Sequence, residues 1–551
     1  MTMTNDEQRT LIIDLTRHRS ELKVHTGFVA RLGGVALGAS LFHDYYERNP
    51  IIIAIGPLTG LLPYCGSCVA HYRSLSGDYS ENFSGGWLGA AIQYANLDAL
   101  IIYGKSSVPV IVEINDTGAI FHPARDVWGK SPLETTKFIR ENLGLPGKSS
   151  IAAIGLGGEE KLPMANVTVD CWYSFSGGGL GAVLGKGKLK GFIVTGSGER
   201  KIPEPIEYIQ VFNELLTQIK SESQDTLQPG FKEFSSLNNL YLQKKVGGLP
   251  TNNLTNHMEE LTIFNERILL KELPIKKLAS FTNVYPDLLI TKLKTGHFLP
   301  LTFDSIAALG ALCGISKLPE LLSLVDICHQ LGMDPRGTGV GLAFIAEKEH
   351  LSLNRTGAAE KLIRGLIAGK ENWAKDWSMG LSELARMYGD SGSMFAIGDS
   401  PLAPIHNGYG TILSQYISPS NNLFDSDGHL FDLSLRGERF DDFSLVDSLI
   451  EREIETTLLN SLIIDYEARG LYSDHVALKS VLHPLGINIT TNDMKILGHT
   501  VYKLRHSLGT NNKKIKIIPE RVFQHPSSSG ILNKDRMDRM IKYYHERSEE
   551  N

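Results

Sequence analysis

The sequence predicts an α+β protein in which a β-rich N-terminal domain is followed by two mainly α-helical domains. Three observations carry this reading. Between residues 9 and 200, apolar runs of strand length alternate with turn residues. From Pro203 onward, apolar residues recur at helical spacing in one long segment after another. Glycine-rich stretches are concentrated in the first two hundred residues, as expected where backbone approaches something closely or adopts positive φ.

The elements follow in chain order. Leu11–Leu15, Ile51–Ile55, Leu100–Gly104, Val108–Ile114, Ile151–Ile154 and Phe192–Val194 read as strands, with Gly89–Ala95 and Leu133–Leu143 as helices between them. Helical periodicity then marks Ile206–Ile219, Ser305–Leu331, Ala358–Ala368, Leu381–Tyr388, Phe443–Ile464, Thr491–His506 and Lys534–His545. Composition shifts near Glu199–Glu204 and again in the Gly/Ser/Pro-rich stretch Gly389–Pro404, which sets domains at 1–202, 203–390 and 391–551. No tandem repeat is evident, and Ser548–Asn551 reads as a polar tail.

Composition narrows the function classes. With 55 Lys+Arg against 61 Asp+Glu, the chain has no basic excess for nucleic acid and no polybasic cluster for a membrane surface. Its longest apolar runs fall far short of a bilayer span. The polar N-terminus is unlike a signal peptide, and five cysteines, an odd number, argue against a disulfide framework. The expectation is a soluble, cytoplasmic protein.

The densest glycine stretch is Tyr173–Gly191, with seven glycines in nineteen residues, echoed by Leu32–Gly38 and Phe83–Gly89. Three such stretches in one domain suggest a mould for a large flat or anionic ligand. Cys65-Gly66-Ser67-Cys68 is a lone Cys-x-x-Cys: a redox pair is one reading, small residues packing a loop the other. Cys171, Cys313 and Cys328 sit in apolar settings and read as buried. Gly155–Glu160 is not a dinucleotide fingerprint, because no helical pattern follows it directly.

Seven blocks in the first domain resemble the N-terminal domain of the tungsten-containing aldehyde ferredoxin oxidoreductase family. In order they are Leu11–Thr16, Leu32–Leu41, Gly56–Gly60, Ser84–Gly89, Val127–Lys130, Ile154-Gly155 with Glu159, and Gly178–Lys186. The resemblance continues through Ser305–Cys313 with Gly314, Asp326–Gly339, Pro401–Pro419, Thr490–Leu508 and Ile518–Phe523, so it covers residues 9–547. It implies a β-rich base closed over by two helical domains. Between them the family holds tungsten or molybdenum on two pterin dithiolenes, beside a 4Fe-4S cluster. The implied chemistry is oxidation of an aldehyde or a related oxo-group reaction, with electrons passed to a redox partner protein. A homodimer is the implied assembly.

On this resemblance the residues facing the cofactor are Gly33, Gly34, Asn82, Ser84, Gly85, Gly86, Gly178, Gly179, Leu180 and Gly181, with Gly332 and Asp334 from the first pterin motif. That motif reads His329-Gln330-Leu331-Gly332-Met333-Asp334, with His329 where the family has a carboxylate. The second reads Asn460–Asp465 and keeps neither the leading Asp nor the glycine. Arginines that would meet pterin phosphates are replaced by Val35 and Gly177. Losing each charge-assisted partner costs on the order of 1.5–3 kcal/mol.

The four cluster positions fall on Ser280, Asn283, Asp287 and Asp465, and no cysteine lies between Cys171 and Cys313. A cluster needs thiolates, so the 4Fe-4S cluster is expected to be absent. Asp304 and His429 are the candidates for proton transfer; the bland reading of His429 is an exposed loop histidine. Two readings remain: an oxidoreductase of this kind without the cluster, or a cofactor-free, non-catalytic relative that binds a small molecule or partner subunit.

Overall fold

In the computed structural model the described residues are 7–26, 32–221, 231–257, 266–420, 422–435, 440–510 and 516–550; the extreme N-terminal residues and Asn551 at the tail lie outside them. The base domain contains two six-stranded sheets. The first uses β1 (Glu7–Asp14), β2 (Arg19–Thr26), β3 (Ile51–Ala54), β4 (Cys68–Arg73), β5 (Tyr79–Ser84) and β6 (Ala99–Tyr103), in the order β2-β1-β6-β3-β4-β5. The second uses β7 (Val110–Asn115), β8 (Gly118–Pro123), β9 (Ser150–Ala153), β10 (Val167–Val169), β11 (Tyr173–Phe175) and β12 (Leu189–Val194). Read from its other edge, its order is β8-β7-β12-β9-β10-β11, the same arrangement.

The base is therefore a structural duplication, although no tandem repeat is evident in the sequence. β1 and β6 pair in parallel, as do β7 and β12, and the remaining pairings are antiparallel in both halves. Each half places one helix before its third strand, Gly34–Asp44 or Pro132–Asn142, and one before its sixth, Leu88–Tyr94 or Leu180–Lys186. The sequence retains one trace of this: Ser84-Gly85-Gly86-Trp87-Leu88-Gly89 corresponds in place to Ser176-Gly177-Gly178-Gly179-Leu180-Gly181.

Strand periodicity explains the packing. Leu11, Ile13, Ile53 and Leu100 meet Val112 and Phe192 between the two sheets. The alternate residues Ile12, Ile52 and Ile101 face a second core shared with the helices. Both faces of the central strands are covered, which is why they read as unbroken apolar runs. The Tyr173–Gly191 stretch is not one long loop. It is strand, a short Ser176–Gly179 loop, helix Leu180–Lys186 and strand again.

The rest of the chain is mainly helical, but it carries an antiparallel sheet of Ile275–Leu278, Leu288–Lys292 and Phe298–Leu301 that the helical periodicity does not announce. Its apolar core runs without interruption from Leu312 and Leu342 to Ile412 and Leu449. No described helix is long and apolar enough to cross a membrane.

Candidate functional site

The duplication sets up the site. Helix Leu318–Leu331 ends on Gly332 in the left-handed conformation, and helix Asp442–Leu462 ends on Ile463 in the same conformation. Each end is seated on a glycine that follows the third strand of one half of the base. A Cβ on Gly155 would lie 2.3 Å from the Leu331 carbonyl, and one on Gly56 would lie 2.3 Å from that of Leu462. Only glycine permits these approaches. Ile463 holds φ 59° although it is β-branched, a conformation that costs on the order of 1–3 kcal/mol. The two eroded motifs thus occupy equivalent positions around one cleft.

The cleft has two chambers, of about 440 and 530 Å³, that share Phe83, Ser176, Asp304, Asp334, Asn422 and Phe424. His329 and Asn460, three residues before the left-handed caps, both line the first chamber. His329 Nε2 lies 2.8 Å from the Cys171 carbonyl, which can only accept, so Nε2 carries the proton. Burial holds its pKa below the usual histidine range, so in the neutral ring Nδ1 is an acceptor. Asn460 accepts from Arg469 Nη2 at 3.2 Å through Oδ1, and its Nδ2 is a buried donor with no hydrogen-bond partner. One acceptor and one unsatisfied donor therefore sit at related positions beside the cleft, a pairing suited to heterocycle edges.

Asp334 caps helix Pro335–Lys348 by accepting from Gly337 N–H, and burial pushes its carboxyl up to about 6. Asp304 accepts from both Nε and Nη2 of Arg336, at 3.2 and 2.9 Å, at the junction of the chambers. The second chamber is walled on the base side by Ser80, Asn82 and Gly177–Gly179. Asn82 is anchored by the Tyr72 hydroxyl, which donates to its Oδ1, and its Nδ2 donates to Ser176 O at 2.7 Å.

Not every residue singled out in the sequence reaches a chamber. Asn82, Gly85, Gly178, Gly179, Asp304 and Asp334 line one or both. Gly33, Gly34, Ser84, Gly86, Leu180, Gly181, Gly332 and His429 are not among the lining residues. Gly34 instead admits the Asn460 carbonyl, and Gly181 that of Asn166. These glycines fit protein to protein. His429 is not an exposed loop histidine. It lies in helix Gly428–Ser434, fully buried, 3.2 Å from the Tyr466 hydroxyl, and burial lowers its pKa to about 4. Tyr466 itself lines the first chamber, so His429 stands one layer behind the wall.

The four cluster positions carry oxygen and amide groups. Asp287 and Asp465 both line the first chamber; Asp287 Oδ1 accepts from the Tyr173 hydroxyl at 3.0 Å and from Ser280 N–H at 3.1 Å, and Asp465 accepts from the Ser67 hydroxyl. This donor set suits protons and hydrogen bonds and does not fit a 4Fe-4S cluster, whose irons are held by thiolates. Cys65 and Cys68 are buried, and burial pushes both thiols up, as packing residues and not as a reactive pair. Cys313 and Cys328 are also buried, whereas Cys171 is half-buried.

Glu467 was not marked by any motif. It lines the first chamber near Asp287 and Asp465, and burial, reinforced by Asp287, pushes it up to about 7; burial pushes Asp287 up to about 6. Acids in that range can take or give a proton at neutral pH. No local pattern marks the pair, since 180 residues separate 287 from 467.

Two family models match the chain: the N-terminal domain of aldehyde ferredoxin oxidoreductase over residues 10–196, and its domains 2 and 3 over residues 211–549. The tungsten-containing aldehyde ferredoxin oxidoreductase of Pyrococcus furiosus is 28% identical over 360 residues, 62% of this chain and 59% of the relative. That of Pyrococcus abyssi is 29% identical over 315 residues, 55% of this chain and 50% of the relative. The aliphatic sulfonate oxidoreductase WOR-like subunit of Pyrococcus furiosus is 28% identical over 214 residues, 34% of each chain. These matches span 34–59% of the curated relatives' length. Among solved structures, the active site complex BamBC of benzoyl coenzyme A reductase with 1,5-dienoyl-CoA superposes with a TM-score of 0.80 at 17% identity, covering 98% of this chain and 94% of that one. It shares the fold.

Proposed function

Because the chain belongs to the aldehyde ferredoxin oxidoreductase family, we propose that it is an oxidoreductase acting on an aldehyde or oxo group with a pterin-bound tungsten or molybdenum and without a 4Fe-4S cluster. The observation that carries this reading is the related pair of helix ends, His329–Asp334 and Asn460–Asp465, facing one two-chambered cleft from the two halves of a duplicated base. The unpartnered Asn460 Nδ2 is the orphan polar atom that such a heterocycle would satisfy.

In this reading His329 Nδ1 accepts from one pterin and Asn460 Nδ2 donates to the other. Ser80 and Ser176, with the Gly177–Gly179 backbone, would meet a phosphate-bearing arm in the second chamber. When bound, the group supplies two-electron redox chemistry at the metal. Glu467 and Asp287 hold or release protons at the carboxyl oxygens that face the first chamber. The Asp304–Arg336 pair holds the junction between chambers in one arrangement. His429 positions the Tyr466 hydroxyl from behind.

The competing reading, a cofactor-free binding protein, is favoured by one observation: five carboxyl groups (Asp287, Asp304, Asp334, Asp465 and Glu467) line the first chamber. Arg469, the arginine that lines it, is already engaged with Asp427, and Arg336 of the second chamber with Asp304. Metal analysis of the purified full-length protein separates the two. About one tungsten or molybdenum per chain, with iron far below a cluster's complement, is expected, and His329→Ala and Asn460→Ala should each lower the metal content. Metal-free protein would overturn the proposal in favour of the binding protein, and a full complement of cluster iron would overturn the cluster-free part.

A further inference from the structure

Behind the first chamber, on the side of the Lys277–Asp287 segment, lies a separate surface pocket of about 290 Å³. Trp172 and Tyr173 line both the chamber and this pocket, so they form the partition between them. On the outer side Trp87 presents 40% of its surface and meets Phe281 edge-on, with ring centroids 4.9 Å apart. Arg140 lines the pocket, donating from Nη2 to the Ser149 carbonyl at 3.2 Å. Lys148 lies between the lining residues Gly147 and Ser149, and Lys277 precedes the lining residue Leu278.

The partition is held firmly. Asp170 and Cys171 both adopt positive φ, 51° and 70°, immediately before Trp172. They are the central residues of the turn that joins β10 to β11, closed by Trp172 N–H donating to the Val169 carbonyl at 3.1 Å. Asp170 points inward, accepting from the Ser150 hydroxyl and from the Ile151 and Trp87 N–H groups, so the charge the pocket offers outward is Arg140. Trp172 lies parallel to the His329 ring at 6.5 Å, and the Tyr173 hydroxyl donates to Asp287. The aromatic pair therefore connects chamber groups to the pocket without opening a channel.

We propose that this pocket binds a small, planar, anionic electron carrier of the flavin mononucleotide class, stacked on Trp87 with its phosphate toward Arg140, and that electrons leave the chamber through Trp172 and Tyr173. The inference rests on the oxidoreductase reading above. An oxidoreductase without a cluster still needs an outlet, and an aromatic wall passes electrons but not a hydride. An isoalloxazine accepts electrons singly, unlike a nicotinamide. At about 290 Å³ the pocket lies just under the roughly 300 Å³ at which small-molecule sites start, so it would hold one edge of the ring system, with the rest of the carrier at the surface.

The step balances. The aldehyde carbon exchanges its C–H bond for a C–O bond from water and gives up two electrons; three protons are released. The isoalloxazine takes the two electrons and two of the protons. Carboxylate and one proton remain.

The test is titration of the full-length protein with flavin mononucleotide, read by quenching of flavin fluorescence and repeated with riboflavin. Saturable quenching is expected, weaker for riboflavin, with affinity reduced about tenfold or more in Trp87→Ala and in Arg140→Glu and retained in Arg140→Lys. Circular dichroism confirms that both variants are folded. No quenching, or affinity unchanged in both variants, overturns the site. Because binding needs no turnover, flavin binding to metal-free protein would leave the site standing while the oxidoreductase reading fell, and metal-loaded protein that ignores flavin would do the reverse.

Discussion

Glu467 shows how a single side chain links the cleft to stability. Burial raises its carboxyl from an ordinary 4.5 to about 7. Between those values the folded chain keeps a proton that the unfolded chain has released, so folding weakens as pH rises through the window and the penalty is complete above about 7. Asp287, raised to about 6, acts in the same direction. Calorimetry from pH 5 to 8 should therefore show the melting temperature falling with pH. Glu467→Gln, which cannot ionise, should flatten that slope and raise the melting temperature at pH 8. Identical pH dependence in the two proteins would show that Glu467 is solvated like any surface acid.

Among the elements, helix Thr491–Thr510 packs Met494, Leu497, Val501 and Leu508 into the core it shares with the base and adds one buried charged tie. Arg505 is fully buried; its Nε lies 2.8 Å from Glu81 Oε1 on β5, and its Nη2 2.6 Å from Glu81 Oε2 and 2.9 Å from Asp425 Oδ2. Burial alone would raise Glu81, but the guanidinium holds it at about 2. Removing one partner of such a network strands the others, at a cost of about 3–5 kcal/mol. Arg505→Met should lose that much in urea unfolding, whereas Arg364→Met, which breaks the exposed pair with Glu360 on a helix surface, should lose under about 0.5 kcal/mol. Equal small losses would deny the network its role. The elements also show what the sequence could disclose. Strands buried on both faces, such as Ile51–Ala54, were legible as apolar runs, while β2 (Arg19–Thr26), with an exposed polar face, was not. Glycine density was visible, but not what would approach: at Gly56 and Gly155 it is the end of a helix from the far half of the chain. His429 looked like a loop residue because nothing local reveals that its helix is enclosed on all sides. Glu467 has no local signature for a similar reason, since it meets Asp287 only after the helical part closes over the base.

Across the whole molecule, the base does not own its core. Helix Gly34–Asp44 buries Val35, Leu37, Leu41 and Phe42, and the side chains that cover them include Leu458, Leu462, Tyr472 and Leu478 from the C-terminal third. Leu215 and Ile219, on the helix that follows the base, join the same cluster. Each fully buried side chain of this kind contributes about 1.5–3 kcal/mol relative to exposure. Stripping the later elements would leave an exposed apolar face on the outer side of the first sheet, and the net stability of a domain is only about 5–15 kcal/mol. The sandwich between the two sheets is complete within residues 7–194, so the fragment 1–202 retains one core and loses the other. Expressed alone, that fragment should associate on gel filtration and bind a hydrophobic dye, whereas the full chain should unfold in one cooperative transition. A monomeric fragment with a sharp melting transition of its own would show that the sheet sandwich suffices, and that the helical part is an addition to the base and not a component of it.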